Sequence, residues 1–203
     1  HRRPRVRGHG HRPALAPGDW FLSLVPTQLQ RLLGSPAAVD WLRRFRVISV
    51  GGGPVWPDLA EAAAQARLPV SLGYGSTETL AMVAAQRPEE FAEGDRSAGR
   101  PMPHARLALD AEGVVTVTGE SIFRGFWPEW NDTRTLVTAD TGRLDDSGRL
   151  HLLGRRDAVI ITGGEKVQPE EVEVVLRATG LFADVAVIGV PDREWGEAVV
   201  ACH

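Results

Sequence analysis

A strand, a glycine-rich turn, a helix and a second strand follow one another in the first third of the chain, and this order restricts the fold more than any other feature. Val47–Val50 is a short apolar run that leads directly into Gly51-Gly52-Gly53-Pro54. Pro57 suits the first position of a helix, an alanine-rich segment follows, and Pro69 precedes the next apolar run, Val70–Leu72. This is the pattern of a βαβ unit. We therefore predict an α/β fold with ligand-binding loops at the carboxyl ends of its strands.

Flanking segments extend this pattern and then change it. Apolar runs and leucines at helical spacing predict a strand over Trp20–Val25 and helices over Thr27–Leu33 and Val39–Arg44. From Ala105 onward apolar residues alternate with polar ones, and Asp110-Ala111-Glu112-Gly113 has the composition of a hairpin turn. The second half of the chain should therefore open with an antiparallel β layer.

A third pattern begins after Asp157. It consists of a strand, a glycine turn, a helix and two further strands, predicted at Ala158–Thr162, Gly163-Gly164, Pro169–Ala178, Val185–Val190 and Ala198–Cys202. The helical spacing places three apolar side chains of that helix on its inner face, namely Val172, Val175 and Leu176. This part has the pattern of a small α+β domain.

We accordingly divide the chain into three parts. Residues 1–19 form a basic flexible segment. Residues 20–156 form part of a large domain, with an α/β lobe to about residue 104 and the β layer after it, and residues 157–203 begin a small mobile domain. The sequence does not start with methionine, and we expect it to be an interior portion of a longer protein, so that the fold is incomplete.

Charge and composition narrow the function classes. The net charge is −3 and 43% of the residues are hydrophobic, which argues against nucleic-acid binding and fits a packed core. The basic first segment contains Arg2, Arg3, Arg5, Arg7 and Arg12. It is either a polyanion-binding arm or a solvated segment, and we favour the second because no aromatic residue is interleaved for base stacking.

Cysteine usage and hydropathy bear on the compartment. The single cysteine, Cys202, excludes an internal disulfide framework and fits a reducing compartment. No apolar run approaches the roughly 18 to 20 residues that cross a bilayer. We expect a cytoplasmic protein without a membrane partner, and the sequence leaves open whether it forms a homo-oligomer.

Tyr74-Gly75-Ser76-Thr77-Glu78-Thr79 is the most informative of the short motifs. An aromatic face suits a purine, a hydroxyl can donate to a phosphate oxygen, and a carboxylate is a hard ligand for Mg²⁺. The same residues can also begin a helix, with Thr77 as the cap of a helix running through Thr79 to Val83. The glycine segment at residues 51–54 has an equally simple alternative, an ordinary tight turn.

Two further stretches follow in a fixed order: Asp140-Thr141-Gly142, and then Gly154-Arg155-Arg156-Asp157 with Gly163-Gly164-Glu165-Lys166-Val167-Gln168-Pro169. Together with the Tyr74 motif they resemble the nucleotide-handling core of the adenylate-forming superfamily, the acyl- and aryl-CoA synthetases and their relatives. The resemblance implies the adenylate-forming enzyme fold, with ATP, Mg²⁺ and coenzyme A as cofactors and co-substrates and a small-molecule carboxylic acid as substrate.

The resemblance also implies a role for individual residues. Adenine would lie between Tyr74 with Gly75 and a wall of Gly51, Gly52, Gly53 and Pro54. Thr77 would contact the α-phosphate, Glu78 would bind Mg²⁺, and Asp140 and Arg155 would bind the ribose hydroxyls. The remaining roles are a hinge at Asp157, a CoA tunnel at Gly163 and Gly164, and an acyl pocket at Ser76.

Lys166 is the only lysine in the chain. In the superfamily the lysine that assists adenylation lies further downstream, so we do not give that role to Lys166. The serine- and glycine-rich phosphate loop of the superfamily is likewise not found upstream, and we expect the 203 residues alone to be inactive.

The segments Trp20–Leu33 and Gly99–His104 are most similar to the o-succinylbenzoate-CoA ligases of menaquinone and phylloquinone biosynthesis. This similarity predicts an aromatic dicarboxylate as the acid. Arg100 is then either an anion partner or, as we favour, an exposed loop arginine. Three alternatives stay open: another fatty-acyl or aryl-CoA synthetase, a non-catalytic nucleotide-binding remnant, and a nucleic-acid partner protein that uses the basic segment.

Overall fold

The computed structural model describes residues 20–130, 132–182 and 184–203 of the 203-residue chain. The basic segment predicted at residues 1–19 lies outside the described residues. Among those residues, no helix is both long and apolar enough to cross a membrane.

The α/β part is built on a five-stranded sheet in the order β1-β2-β3-β4-β5. Its strands are β1 (Phe21–Leu24), β2 (Val47–Val50), β3 (Val70–Ser76), β4 (Ala81–Ala85) and β5 (Arg100–Pro101). The first three run parallel, and the last two add antiparallel to β3. The predicted βαβ unit is therefore present, with its strands adjacent in chain order.

Four helices connect these strands: α1 (Pro26–Leu33), α2 (Pro36–Leu42), α3 (Pro57–Gln65) and α4 (Pro88–Ala92). Each begins with proline, whose fixed φ suits the first helical position and whose missing N–H would have no helical partner there. The helices cover a core that includes the fully buried Leu29, Leu42, Ile48, Val70 and Phe91. The apolar runs of the sequence thus become a sheet buried by its crossover helices.

A second, antiparallel sheet follows as predicted. It contains β6 (Ala105–Leu109), β7 (Val114–Gly119), β8 (Thr135–Leu144) and β9 (Leu150–Arg155), in that order. Its buried Val115, Val117 and Leu150 share one core cluster with Tyr74 and Val83 of the first sheet. The two sheets therefore pack into a single body, and Tyr74 lies at their junction.

The C-terminal unit, residues 157–182 and 184–203, has its own sheet in the order β11-β10-β13-β12. A 3-10 turn at Arg156–Ala158 leads into β10 (Ile160–Thr162), β11 (Glu165–Val167), α5 (Pro169–Ala178), β12 (Ala186–Asp192) and β13 (Gly196–Cys202). Helix α5 packs on β12, where the backbone N–H of Val187 donates to the Glu173 carboxylate at 2.7 Å. This is the α+β arrangement that the sequence predicts.

Two local predictions are wrong. The helix considered for Thr79–Val83 does not form, because residues 77–80 are a turn, Leu80 and Ala81 have φ of 55° and 84°, and β4 begins at Ala81. Positive φ at two successive residues cannot continue a right-handed helix. Val175 is 66% exposed rather than inward-facing, because α5 turns another face toward β12.

Candidate functional site

Tyr74 and Asp140 meet where the two sheets join. Tyr74 lies near the carboxyl end of β3 and is 8% exposed, and its hydroxyl donates to Asp140 Oδ2 at 2.6 Å. Burial of the ring, followed by this hydrogen bond, raises the pKa of the Tyr74 phenol well above its ordinary value. The phenol is therefore a neutral donor that fixes one oxygen of the Asp140 carboxylate.

Arg155 faces Asp140 across the β8–β9 ladder, since the two residues are directly paired in register. One guanidinium nitrogen lies 3.3 Å from Asp140 Oδ1. The other two contact Asp157, with Nε 2.9 Å from Oδ1 and Nη2 2.6 Å from Oδ2. This two-point pair raises the pKa of Arg155 and lowers that of Asp157.

These contacts join four of the predicted site residues in one hydrogen-bonded series: Tyr74, Asp140, Arg155 and Asp157. Tyr74 and Asp140 are 66 residues apart in the sequence, and Asp140 and Arg155 are 15 residues apart. The fold, and not the local sequence, therefore brings them together. Asp140 and Arg155 are 22% and 51% exposed in their side chains. The cluster therefore presents a carboxylate and a guanidinium to solvent, the pair of groups that suits a ribose diol.

The turn at residues 76–80 carries the predicted phosphate and metal residues. Thr77 is exposed and Glu78 is partly exposed. A hydrogen bond from the Ser76 side chain lowers the pKa of Glu78, which keeps it ionised at neutral pH. Among the described residues, Glu78 is not part of the hydrogen-bonded chain around Asp140, but it follows Tyr74 by four positions.

Thr79 is a residue whose structural role the sequence reasoning missed. Its hydroxyl accepts from the Ser76 N–H at 2.8 Å and donates to the Ala81 carbonyl at 2.7 Å, and the residue is 1% exposed. Thr79 therefore holds the turn that presents Thr77 and Glu78. The serine and threonine three positions apart were the available signal, because such side chains form local turns with the backbone.

The glycine loop lies beyond β2, where the Gly51 N–H donates to the Leu24 carbonyl at 3.3 Å. Gly52 has φ of +79°, which favours glycine. A Cβ on Gly53 would come no closer than 3.9 Å to another atom. Packing within the loop would therefore tolerate a side chain at Gly53. The space that glycine leaves empty is open to a flat ligand at this edge.

Other glycines of the predicted site have structural reasons. A Cβ on Gly75 would lie 1.9 Å from the Ala81 carbonyl oxygen, so the approach of β4 requires glycine there. Gly163 and Gly164 form the left-handed turn between β10 and β11, and a Cβ on Gly163 would lie 2.8 Å from the Trp195 ring. The CoA tunnel at Gly163 and Gly164 stays a prediction, as does the acyl pocket at the exposed Ser76.

Two basic residues weighed in the sequence have definite positions. Arg100 forms an ion pair with Glu90, and its Nε donates to the Ser147 carbonyl at 3.2 Å. Lys166 is exposed on β11, opposite Ile161. Arg100 is therefore exposed, as we favoured, but it lies on strand β5 and not in a loop, and Lys166 faces solvent.

The donor set fits a metal held mainly by phosphates. No group of three or more His, Cys, Asp or Glu residues able to hold a metal occurs within residues 20–130, 132–182 and 184–203. Mg²⁺ in phosphate-transfer sites commonly uses one or two carboxylates, with phosphate oxygens and water as its other ligands. The single accessible carboxylate of Glu78 matches that requirement.

Comparison with known sequences assigns the α/β part and the first two strands of the antiparallel sheet to one family. The sequence profile of the AMP-binding enzymes matches residues 20–127, more than half of the chain. A 2-succinylbenzoate–CoA ligase from Geobacillus kaustophilus is 33% identical over 196 residues. That alignment covers 89% of this chain and 40% of the ligase.

Solved structures give the same result for the fold. The o-succinylbenzoate-CoA synthetase of Bacillus subtilis, solved with the acyl-adenylate intermediate OSB-AMP, superimposes with a TM-score of 0.75 at 30% identity. An amide bond synthetase from Marinactinospora thermotolerans superimposes with a TM-score of 0.76 at 30% identity. The matches cover 89% of this chain and 40% and 41% of the two proteins, respectively, so the chain spans about two fifths of their length.

Proposed function

Since this chain belongs to the family of AMP-binding enzymes, we propose that the whole protein is an ATP-dependent acid–CoA ligase. It forms an acyl-adenylate first and an acyl-CoA thioester second. The observation that carries this proposal is the hydrogen-bonded cluster of Tyr74, Asp140 and Arg155 at the junction of the two sheets. The cluster lies beside the carboxyl end of β3, the edge at which open α/β sheets bind ligands.

Each residue has a task in the first half-reaction. Asp140 accepts from the ribose hydroxyls and Arg155 donates to them, while Tyr74 and the glycine loop border the adenine. Thr77 donates to an α-phosphate oxygen, and Glu78 would hold Mg²⁺, which neutralises phosphate charge when bound. The acid's carboxylate oxygen attacks the α-phosphorus, and the bond to pyrophosphate breaks.

The second half-reaction uses the C-terminal unit. After pyrophosphate leaves, this unit turns about Asp157 and the CoA thiol enters past Gly163 and Gly164. The thiol sulfur then attacks the acyl carbon and its proton passes to solvent, while the bond between the acyl carbon and the phosphate oxygen breaks and AMP departs with its electrons. The Arg155–Asp157 pair supports a hinge at this place, because both side chains are more than half exposed and so can separate at small cost.

We further propose that the acid is 2-succinylbenzoate. The support is the similarity to ligases of that name, at 33% identity for the Geobacillus kaustophilus protein. A second candidate is amide formation from the same acyl-adenylate, favoured by the equally close fit to the Marinactinospora thermotolerans synthetase. The two candidates share the adenylation half-reaction and differ only in the nucleophile.

The test is isotope exchange between pyrophosphate and ATP, measured on the whole protein with 2-succinylbenzoate and a panel of other aryl and fatty acids. Exchange that depends on 2-succinylbenzoate, followed by thioester formation when CoA is added, is the expected result. Exchange with amide formation but no thioester would select the second candidate. ATP binding without exchange for any acid would contradict both.

A further inference from the structure

The C-terminal end of helix α5 contacts the α/β part through a cation–π pair. The Arg177 guanidinium carbon lies 4.5 Å from the centroid of the Trp56 ring. Arg177 is in the last turn of α5, and Trp56 is the residue immediately before α3, two positions after the glycine loop. The pair therefore bridges the C-terminal unit and the edge assigned to the nucleotide.

The Arg177 side chain is held in place from two sides. It is only 20% exposed and forms an ion pair with Asp184 of its own unit. Its Nε is buried and has no hydrogen-bond partner within the described part of the chain. The guanidinium therefore has the Asp184 carboxylate and the indole face as partners in place of much of its water, and partial removal from water strengthens a cation–π contact.

The other end of α5 also touches the large part, but close to the pivot. The Gln168 Oε1 and Glu170 Oε2 atoms lie 2.9 Å and 3.0 Å from the place of a Cβ on Gly154. Gly154 precedes the proposed hinge Asp157 by three residues. A contact this near the pivot offers little resistance to rotation.

The Trp56 contact lies farther from the pivot at Asp157 than the Gly154 contact does. Helix α5 has ten residues, about 15 Å of helix, and Arg177 lies toward the end remote from Gly154. Because α5 is bonded to β12, it moves with the rest of the C-terminal unit. A rotation about Asp157 must therefore separate Arg177 from Trp56.

We propose that Arg177 and Trp56 form a clasp that stabilises the observed orientation of the C-terminal unit and sets how readily it turns. Arg177 is thus a positioning residue, since it acts through the orientation of the unit and not on the reacting atoms. A cation–π pair of this kind shifts a two-state equilibrium by about 2-fold to 30-fold. The effect on turnover rests on the proposed function, whereas the clasp itself does not.

The first experiment tests the clasp without any activity. Acrylamide quenching of tryptophan fluorescence is measured on the whole protein as wild type, Arg177→Met, Arg177→Lys and Trp56→Leu, and on the double variant Arg177→Met with Trp56→Leu. Arg177→Met should increase quenching in the wild-type background and have no effect in the Trp56→Leu background. Arg177→Lys keeps the cation but loses the planar guanidinium, so it should fall between wild type and Arg177→Met, and this graded response separates loss of the clasp from misfolding. Equal quenching of wild type and Arg177→Met would overturn the proposal.

The second experiment measures the ratio of thioester formation to pyrophosphate exchange. Arg177→Met and Trp56→Leu should change this ratio in the same direction, by about 2-fold to 30-fold, and the double variant should go no further than either single one.

Arg124→Met is the matched control, because Arg124 lies over the Trp130 ring at 5.1 Å within a single loop. Multiplicative effects in the double variant, or an equal effect of Arg124→Met, would refute the positioning role. Absence of exchange in wild type would refute the proposed function instead, and the quenching result would still decide the clasp.

Discussion

At the scale of single residues, Tyr74 depends on two neighbours for its ionisation behaviour: the core that buries its ring and the carboxylate of Asp140. Both favour the neutral phenol, the first because a phenolate loses hydration in the core and the second because two negative charges would face each other. Tyr74 is the only tyrosine of these 203 residues.

We predict that Asp140→Asn lowers the pKa of Tyr74 while leaving it above about 10, the ordinary value, because burial persists. Phenolate absorbance as a function of pH measures this, with Tyr74→Phe as the blank. The raised pKa means that the neutral phenol's contribution to stability is complete below about pH 10 and is lost as the pH rises further. An Asp140→Asn titration that superimposes on wild type would show that the carboxylate does not contribute.

Glu78 gives a second prediction at this scale. Its lowered pKa keeps the carboxylate charged at neutral pH, as a magnesium ligand requires. Glu78→Gln in the whole protein should raise the Mg²⁺ concentration needed for half-maximal pyrophosphate exchange by at least about tenfold. Glu89→Gln, an exposed carboxylate in the first turn of α4, should not. Equal magnesium requirements in both variants would remove Glu78 from the metal site.

At the scale of elements, a substitution in the glycine loop after β2 can distinguish an effect on packing from an effect on ligand binding. Gly53→Ala has room for its methyl group in the folded chain and should leave the melting temperature unchanged or slightly raised. If adenine lies against this loop, the same methyl group should weaken AMP binding by about 1–3 kcal/mol. Calorimetric titration with AMP measures this, and Gly34→Ala, after α1, is the control. Unaltered AMP affinity in Gly53→Ala would place the adenine elsewhere.

Elements with a strong periodic signal were predictable from the sequence. The structure confirms the βαβ unit, the hairpin at Asp110–Gly113 and the helix starting at Pro169. These elements were predictable because proline, glycine and the alternation of apolar and polar residues act locally. The turn after Ser76 was not, since the hydroxyl of Thr79 and the approach of β4 decide it. The outward position of Val175 depends on how α5 sits on β12, which no local pattern encodes.

The site residues divide in the same way. The roles of Asp140 and Arg155 came from a resemblance, but their pairing follows from the β8–β9 register, in which a β-bulge between Thr141 and Gly142 shifts the pairing by one residue. The clasp between Trp56 and Arg177 joins residues that the sequence gives no reason to connect. Contacts of this kind depend on how two folded units meet, and they appear only in the assembled structure.

At the scale of the whole molecule, charged side chains tie the α/β sheet to the antiparallel sheet. Arg149 Nε lies 3.7 Å from both Glu90 Oε1 and Asp95 Oδ2, and the Asp95 side chain is only 8% exposed. The backbone N–H of Arg87 is the main cause of the lowered pKa of Glu90. Burial opposes ionisation of Asp95, but bonds from the Ser97 N–H and hydroxyl outweigh it and lower the pKa.

This network predicts a pH-dependent stability. Because both pKa values are lowered, the carboxylates stabilise the fold above about pH 4 and lose that effect as the pH falls further. Arg149→Met should lower the free energy of unfolding by up to about 1 kcal/mol at neutral pH, and the deficit should shrink in acid. Urea unfolding across the acid range measures this. The exposed pair Arg43–Asp40 supplies the control, since Arg43→Met should cost little at any pH. A deficit for Arg149→Met that is constant with pH would contradict the electrostatic explanation.

The proposed function requires that the Tyr74–Asp140–Arg155 cluster and the glycine loop meet around one AMP molecule. A crystal structure of the protein grown with AMP measures this directly. We predict ribose hydroxyls within hydrogen-bond distance of Asp140 and Arg155, and adenine between Tyr74 and residues 51–54. AMP bound at another surface, or a ribose turned away from Asp140, would contradict it.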